Sequence, residues 1–167
     1  MRWRREPDSR VARLLEGVRG ERALAWGELV DGSVAVCTEH ALYTGAGARI
    51  PWDLVVRAAW SEEFLDLVAQ SAPGSSTRQM RLRFRQAGEV PAVVRERVEW
   101  TVLASQHADL EHPDGRSGGA TLNARRSPES GEVRWAIVFD RGLDTRDPGW
   151  REAADRALAE LRSRMGV

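Results

Sequence analysis

Residues 24–44 read LAWGELVDGSVAVCTEHALYT, and the fold turns on this stretch. Leu24, Trp26 and Val30 lead into Asp31-Gly32, and Val34, Val36 and Thr38 continue the alternation beyond it. A period of two is that of a strand, whose successive side chains point to opposite faces. Asp and Gly both tolerate positive φ, so the pair reads as a two-residue hairpin turn joining two strands. The alternation places Cys37 on the face opposite Val34 and Val36.

Downstream, further short strands are predicted at Ala41 to Thr44, Ala48 to Pro51, Leu54 to Trp60 and Phe64 to Ala69. Gly45, Gly47, Pro51-Trp52-Asp53 and Ser61-Glu62-Glu63 separate them, a spacing that suits a meander. Ala72 to Thr77 reads as a loop before a strand from Arg78 to Gln86. The period then changes: Val90, Val93, Val94, Val98, Thr101 and Val102 trace one helical face from a start near Pro91. Upstream, Asp8 or Ser9 caps a short amphipathic helix through Val11, Leu14, Leu15 and Val18, with Gly20 placed to end it.

The last third repeats the order of strands and then a helix. Strands are expected from Ser105 to Leu110, around Ala120 to Arg126 and from Glu132 to Asp140, with a turn region from Glu111 to Gly119. Val133, Trp135, Ile137 and Phe139 share one face of the last strand. The closing helix is capped by Asp147, with Pro148 in its first turn and a stripe from Trp150 to Met165.

Gly20-Glu21-Arg22, Asp31-Gly32, Val36-Cys37-Thr38, Leu42-Tyr43 and Arg49-Ile50-Pro51-Trp52 followed by Val55 or Val56 carry a resemblance. The pattern resembles bacterial pleckstrin-homology-like and GRAM-like modules, and a group of uncharacterised actinobacterial proteins that add a short strand-helix tail. It spans residues 20 to 104. The resemblance implies an α+β fold: a curved antiparallel seven-stranded sheet or barrel capped by the helix Val90 to Ala104, serving as an adaptor for proteins, lipids or its own copies. It implies no enzymatic activity. The Asp31-Gly32 tip carries no basic residue, which argues against inositol phosphate capture at that loop. The expected organisation is an N-terminal helix over 1–20, the pleckstrin-homology-like module over 21–104, and a strand-helix unit over 105–167 packed on it.

Composition narrows the function classes. The 25 basic and 25 acidic residues cancel, so no global field steers the chain toward nucleic acid or an anionic membrane. All 25 basic residues are Arg. One cysteine, Cys37, excludes an intramolecular disulfide and a Cys-based zinc site and fits a reducing, cytoplasmic setting. The charged segment after the N-terminal Arg residues is not that of a signal peptide, and no stretch approaches the ~20 apolar residues of a membrane span.

No catalytic, cofactor or metal motif emerges. Cys37 has no base beside it, which makes it an inert thiol. His107 and His112 stand near Asp109, Glu111 and Asp114, but a spacing of five sends the two rings to opposite faces of a strand, so these read as solvated turn residues. Gly74-Ser75-Ser76-Thr77 lacks the Lys and helix of a phosphate loop. Arg97 sits near the middle of a helical apolar stripe, where it must snorkel or pair with a carboxylate.

Arg81, Arg83 and Arg85 are the sharper feature, because residues at i, i+2 and i+4 line one side of a strand about 6 to 7 Å apart. Unless cross-strand carboxylates such as Asp66 compensate, this row is a candidate for holding an anionic headgroup, a phosphate backbone or an acidic partner. Seven tryptophans are many for the length; most are expected in the core, with Trp3 and Trp100 the candidate interface residues. The expected function is a protein-binding or self-associating adaptor. The alternative is peripheral binding of anionic lipid or nucleic acid through the arginine row. A small-molecule substrate and a cofactor are not expected.

Overall fold

The computed structural model describes residues 8–166; Trp3 lies outside them. The fold is α+β, and the chain divides into two compact units. One comprises the residues up to Thr101 together with Ser127–Glu132, and the other Val102–Arg126 with the chain from Val133 onward. No helix among the described residues is long and apolar enough to cross a membrane.

The first unit runs α1 (Ser9–Leu14), β1 (Ala25–Leu29), β2 (Val34–Cys37), β3 (Ala41–Thr44), β4 (Arg49–Pro51), a 3-10 turn (Trp52–Leu54), β5 (Val55–Ser61), β6 (Phe64–Gln70), β7 (Thr77–Gln86) and α2 (Val90–Thr101). All seven strands join one antiparallel sheet in the order β4-β3-β2-β1-β7-β6-β5. The sheet does not close into a barrel, because β4 and β5 are left as its two edges.

The β1–β2 hairpin forms, but with a different turn. The amide of Gly32 donates to the Leu29 carbonyl (3.0 Å) and that of Leu29 to the Ser33 carbonyl (2.9 Å). Three residues, Val30 to Gly32, therefore form the loop. Only Gly32 has a positive φ (+84°), while Asp31 accepts from the Ser33 amide instead (2.9 Å). This is the three-residue hairpin whose last loop residue must be left-handed, the position glycine fills without strain.

The faces of this hairpin also differ from a simple alternation. On β1 the core side carries Ala25 and Leu29, while Trp26 is 38% exposed on the other side. Gly27 explains the choice: a Cβ there would lie 2.9 Å from the Phe84 ring, so β7's Phe84 fills the space that a larger β1 side chain would need. On β2, Ala35 and Cys37 face the main core, whereas Val34 and Val36 meet α1 through Val11, Leu14, Leu15 and Val18. Both faces of β2 are thus buried, one in the main core and one by α1. Cys37 stands opposite Val34 and Val36, as the alternation requires.

Trp52 anchors the main core. It is fully buried, and its indole Nε1 donates to the Thr38 carbonyl at 3.0 Å, which satisfies the one polar atom of the ring. Val90 and Val94 of α2 complete this core. Trp150 is also buried, but Trp60 and Trp135 are half-buried and Trp26 and Trp100 exposed, so the tryptophans are less uniformly internal than expected.

The helix after β7 ends at Thr101, not Ala104. Thr101 turns its hydroxyl onto the Val98 carbonyl (2.7 Å), and Val102 already pairs with Arg125 in the next sheet. Val102 matched the helical face by spacing alone; cross-strand pairing decides its state.

The second unit holds β8 (Val102–Glu111), β9 (Ser117–Arg126), β10 (Val133–Phe139) and α3 (Pro148–Met165), with β9 central in an antiparallel three-stranded sheet. Trp150, Ala153 and Ala154 of α3 pack on Leu110 and Ala120. Gly118 and Gly119, expected in a turn, lie inside β9. A Cβ on Gly118 would meet the Trp150 ring at 2.9 Å, and one on Gly119 would meet Asp140 Oδ2 at 2.3 Å. Close approach of the Trp150 ring, not turn geometry, requires glycine at 118; at 119 the neighbours are the ends of the exposed Asp140 and His107 side chains, which can move aside.

Candidate functional site

The arginine row on β7 is placed by its antiparallel partner β6, in which Asp66 stands opposite Arg81 and Phe64 opposite Arg83. Arg81 holds Asp66 bidentately, its Nε at 2.7 Å and Nη2 at 3.1 Å from the two carboxylate oxygens. Arg83 pairs with Glu63 (2.7 Å), and Arg85 reaches Glu28 (3.1 Å) and the Val30 carbonyl (3.2 Å). Arg81 and Arg83 also lie over the Phe64 ring, at 4.6 and 5.6 Å from its centroid. The hydrogen bonds from Arg81 lower the Asp66 carboxyl below the usual carboxylate range. The row is therefore a ladder of three ion pairs, and its charges are balanced one for one.

A different surface of the first unit has the form of a binding site. Between β5 and α2 runs a groove of about 650 Å³. Its apolar lining comes from Ala58 and Trp60 on β5, Leu65 on β6, and Val94 and Val98 on α2. The spacing on both elements accounts for this. Ala58 and Trp60 are two apart and share the core-facing side of the strand, while Pro91, Val94, Arg95 and Val98 follow the i, i+3, i+4, i+7 rule on one helix face. Ala58 is too small to fill the gap, so the core stays open where the sheet ends. Trp60 is held from behind by Phe84, with ring centroids 5.2 Å apart.

Two further features border the groove. First, among the described residues β5 pairs in the sheet only with β6, which makes it an edge strand. Second, Arg57 and Arg95 stand at the rim beside Glu99. Neither guanidinium reaches a carboxylate at ion-pair distance among the described residues; Arg57 only adds to the field that lowers Asp66, whose two oxygens are already taken by Arg81.

Trp100 is 51% exposed, the most exposed large apolar residue among the described residues of the first unit, but it lies off the helix stripe that faces the groove. Arg97 does both things expected of it: its Nη2 bonds Glu96 at 2.6 Å while the stem is buried. Its Nε is buried with no hydrogen-bond partner.

Elsewhere, polar groups are tied into structural networks. Glu21 is almost fully buried and accepts from the hydroxyls of Thr38 and Tyr43, with Arg49 Nη2 at 3.4 Å, which fastens the segment before β1 to the sheet. Cys37 is enclosed by apolar neighbours, and burial pushes its thiol up to about 12, so it carries no thiolate at neutral pH.

His112 is not a solvated turn residue. It is 8% exposed, its Nδ1 lies 2.7 Å from Asp114 Oδ1 and 3.2 Å from the Asp114 amide, and its Nε2 lies 3.0 Å from Asp147 Oδ1. Asp147 in turn caps α3 through the Gly149 amide (3.0 Å) and takes Arg116 Nη2 on its other oxygen (2.9 Å). Trp150 meets the imidazole edge-on, centroids 4.9 Å apart. His107 is separate, exposed and paired with Asp140 (2.9 Å). Among the described residues no group of three or more His, Cys, Asp or Glu side chains converges as a metal site would require.

The groove was not legible in the sequence. The useful signal was Ala58-Ala59 beside Trp60, small residues in a strand with a helix expected after β7, but nothing linear places Val94 and Val98 opposite them. Compared with known proteins, the chain matches no protein-family model, no curated protein and no solved structure.

Proposed function

We propose that the first unit is a pleckstrin-homology-like, non-enzymatic adaptor module that binds an extended segment of a partner protein between β5 and α2. The order of seven strands followed by a helix supports the fold half of this reading. The observation that carries the functional half is the groove itself: an edge strand bordered by an apolar trough. Strand addition uses both parts, because main-chain hydrogen bonds to the edge supply affinity and alternate side chains entering the trough supply specificity. The alternative, an anionic lipid or nucleic acid on Arg81, Arg83 and Arg85, loses its basis, since such a ligand must displace carboxylates from all three.

A displayed library of random peptides, selected on the whole chain, tests the reading. Bound peptides are expected to alternate apolar and polar residues, to shift the amide resonances of residues 57–60 and 94–98, and to be lost on Val98→Glu, which puts a charge into the trough. Peptides that perturb another surface, or that bind the Val98→Glu variant as well, refute it. Light scattering on the same two proteins shows whether a second copy of the chain is the occupant.

A further inference from the structure

We infer that α1 is a lid that opens separately from the sheet, and that the face beneath it on β2 and β3 receives an amphipathic helix of a partner protein. This face is distinct from the β5–α2 groove. Val34 and Val36 of β2 with Ala41 and Tyr43 of β3 are buried, and what covers them is Val11, Leu14, Leu15 and Val18. Those four positions keep the spacing i, i+3, i+4, i+7, so the chain itself shows the helical pattern that the face accepts. None of these residues belongs to the main core, which lies on the other side of β2 around Ala35, Cys37 and Trp52. α1 can therefore leave without breaching that core.

The helix is lightly held. Its six residues are far fewer than the ~12 to 15 that an isolated helix needs, so α1 keeps its form only while packed. Among the described residues its polar ties to the sheet all come from Arg10, whose Nη1 donates to the Gly32 carbonyl (2.9 Å) and whose Nη2 pairs with Glu28 (3.0 Å). Both contacts are within reach of water, where such bonds are individually weak. At the other end Glu21 is nearly buried and fixed by the hydroxyls of Thr38 and Tyr43. Between Val18 and that anchor stands Gly20, at φ +76° with open space around its Cβ position, an unobstructed hinge. The face keeps its shape when the lid lifts. β2 is paired on both sides, by β1 and β3, and Tyr43 is held by Glu21 (3.0 Å) and by Arg49 Nε (2.9 Å). A preformed apolar face spares an incoming helix the cost of ordering it.

Two measurements on the whole chain test this. In native-state hydrogen exchange the amides of Ala12 and Leu15, bonded to the carbonyls of Asp8 and Val11 at 3.1 Å, are expected to exchange at least about tenfold faster than those of β2, after correction for intrinsic rates. Equal protection overturns the lid, because α1 then opens only with the whole fold. In the second measurement a labelled peptide of residues 8–19 is titrated by anisotropy against the unaltered chain and against Arg10→Gln, which cuts both ties to the sheet. Apparent affinity scales with the fraction of open chains, so Arg10→Gln is expected to bind the peptide ~3- to 10-fold tighter. Unchanged protection of β2 shows that the sheet of this variant is intact. A Leu14→Glu peptide, with a charge on the apolar stripe, is expected to lose binding. No gain in Arg10→Gln, or equal binding of the Leu14→Glu peptide, overturns the receptor face.

Discussion

Gly149→Ala probes how tightly the loop after β8 is locked to the start of α3. A Cβ at Gly149 would lie 2.1 Å from His112 Nε2 and 2.6 to 2.7 Å from two ring carbons. The imidazole has nowhere easy to go, because it is held by Asp147 at 3.0 Å, by the Asp114 amide at 3.2 Å and by the edge of Trp150. Overpacking of this kind costs ~1 to 3 kcal/mol. Displacing the ring also loses a hydrogen bond to a carboxylate, worth about 1.5 to 3 kcal/mol. Against this, alanine is the better helix former by up to about 1 kcal/mol, less in a first turn. The net expectation is a destabilisation of roughly 2 to 4 kcal/mol. Urea unfolding followed by circular dichroism measures it, and a double-mutant cycle identifies the cause. With His112→Ala the obstacle is gone, so Gly149→Ala should become neutral or stabilising by up to ~1 kcal/mol in that background. An equal loss in both backgrounds would show that the close approach to His112 is not what requires glycine.

Three further expectations concern other sites. Arg97→Met removes a buried Nε that has no partner while keeping the apolar stem, so the urea midpoint should stay level or rise, by about 1 kcal/mol at most; a clear fall would mean that the Glu96 contact outweighs the unsatisfied donor. Glu62 is the one non-glycine residue with positive φ among the described residues (φ +50°), in the two-residue turn between β5 and β6. Glu62→Gly should relieve that strain and stabilise by roughly 0.5 to 1 kcal/mol in thermal unfolding, and Glu62→Val should do the opposite. The hydrogen bond and charge of Asp140 raise the His107 pKa above its ordinary value. A raised folded pKa means that the contribution is complete below the unfolded value of ~6.5 and is lost as pH climbs through the folded one. An NMR titration should therefore place the His107 midpoint above that of a free histidine, and Asp140→Asn should bring it back. A midpoint that ignores the Asp140→Asn change would remove the pair as its cause.

Much of the chain's local organisation was already written in periodicity. The spans of β3, β6, β7 and α3 match the alternation and capping signals to within a residue, and Asp147 with Pro148 opens α3 as expected. These are local choices: a cap, a proline in a first turn, a side chain on every second position. The faces were harder. Trp26 points outward because Phe84, nearly sixty residues on, occupies the space over Gly27. Val34 and Val36 look like core by alternation, yet they are buried only because α1 covers them.

The arginine ladder shows the same division. Its spacing on one side of β7 follows from a strand's period of two, but whether it is a charged patch depends on strand register, which brings Asp66 and Glu63 opposite it and places Glu28 beside Arg85. His112, grouped by sequence with nearby acids in a turn, is enclosed by Asp147 and Trp150 from thirty-five or more positions away. The groove depends on tertiary structure most of all. Composition and periodicity determined the strands, the helices and the absence of any global charge bias, because those depend on neighbours along the chain. Which strand is left as an edge, and that small Ala58 faces Val94 and Val98 across a gap, was decided by packing, since the distance between those residues exists only once the sheet has folded against α2.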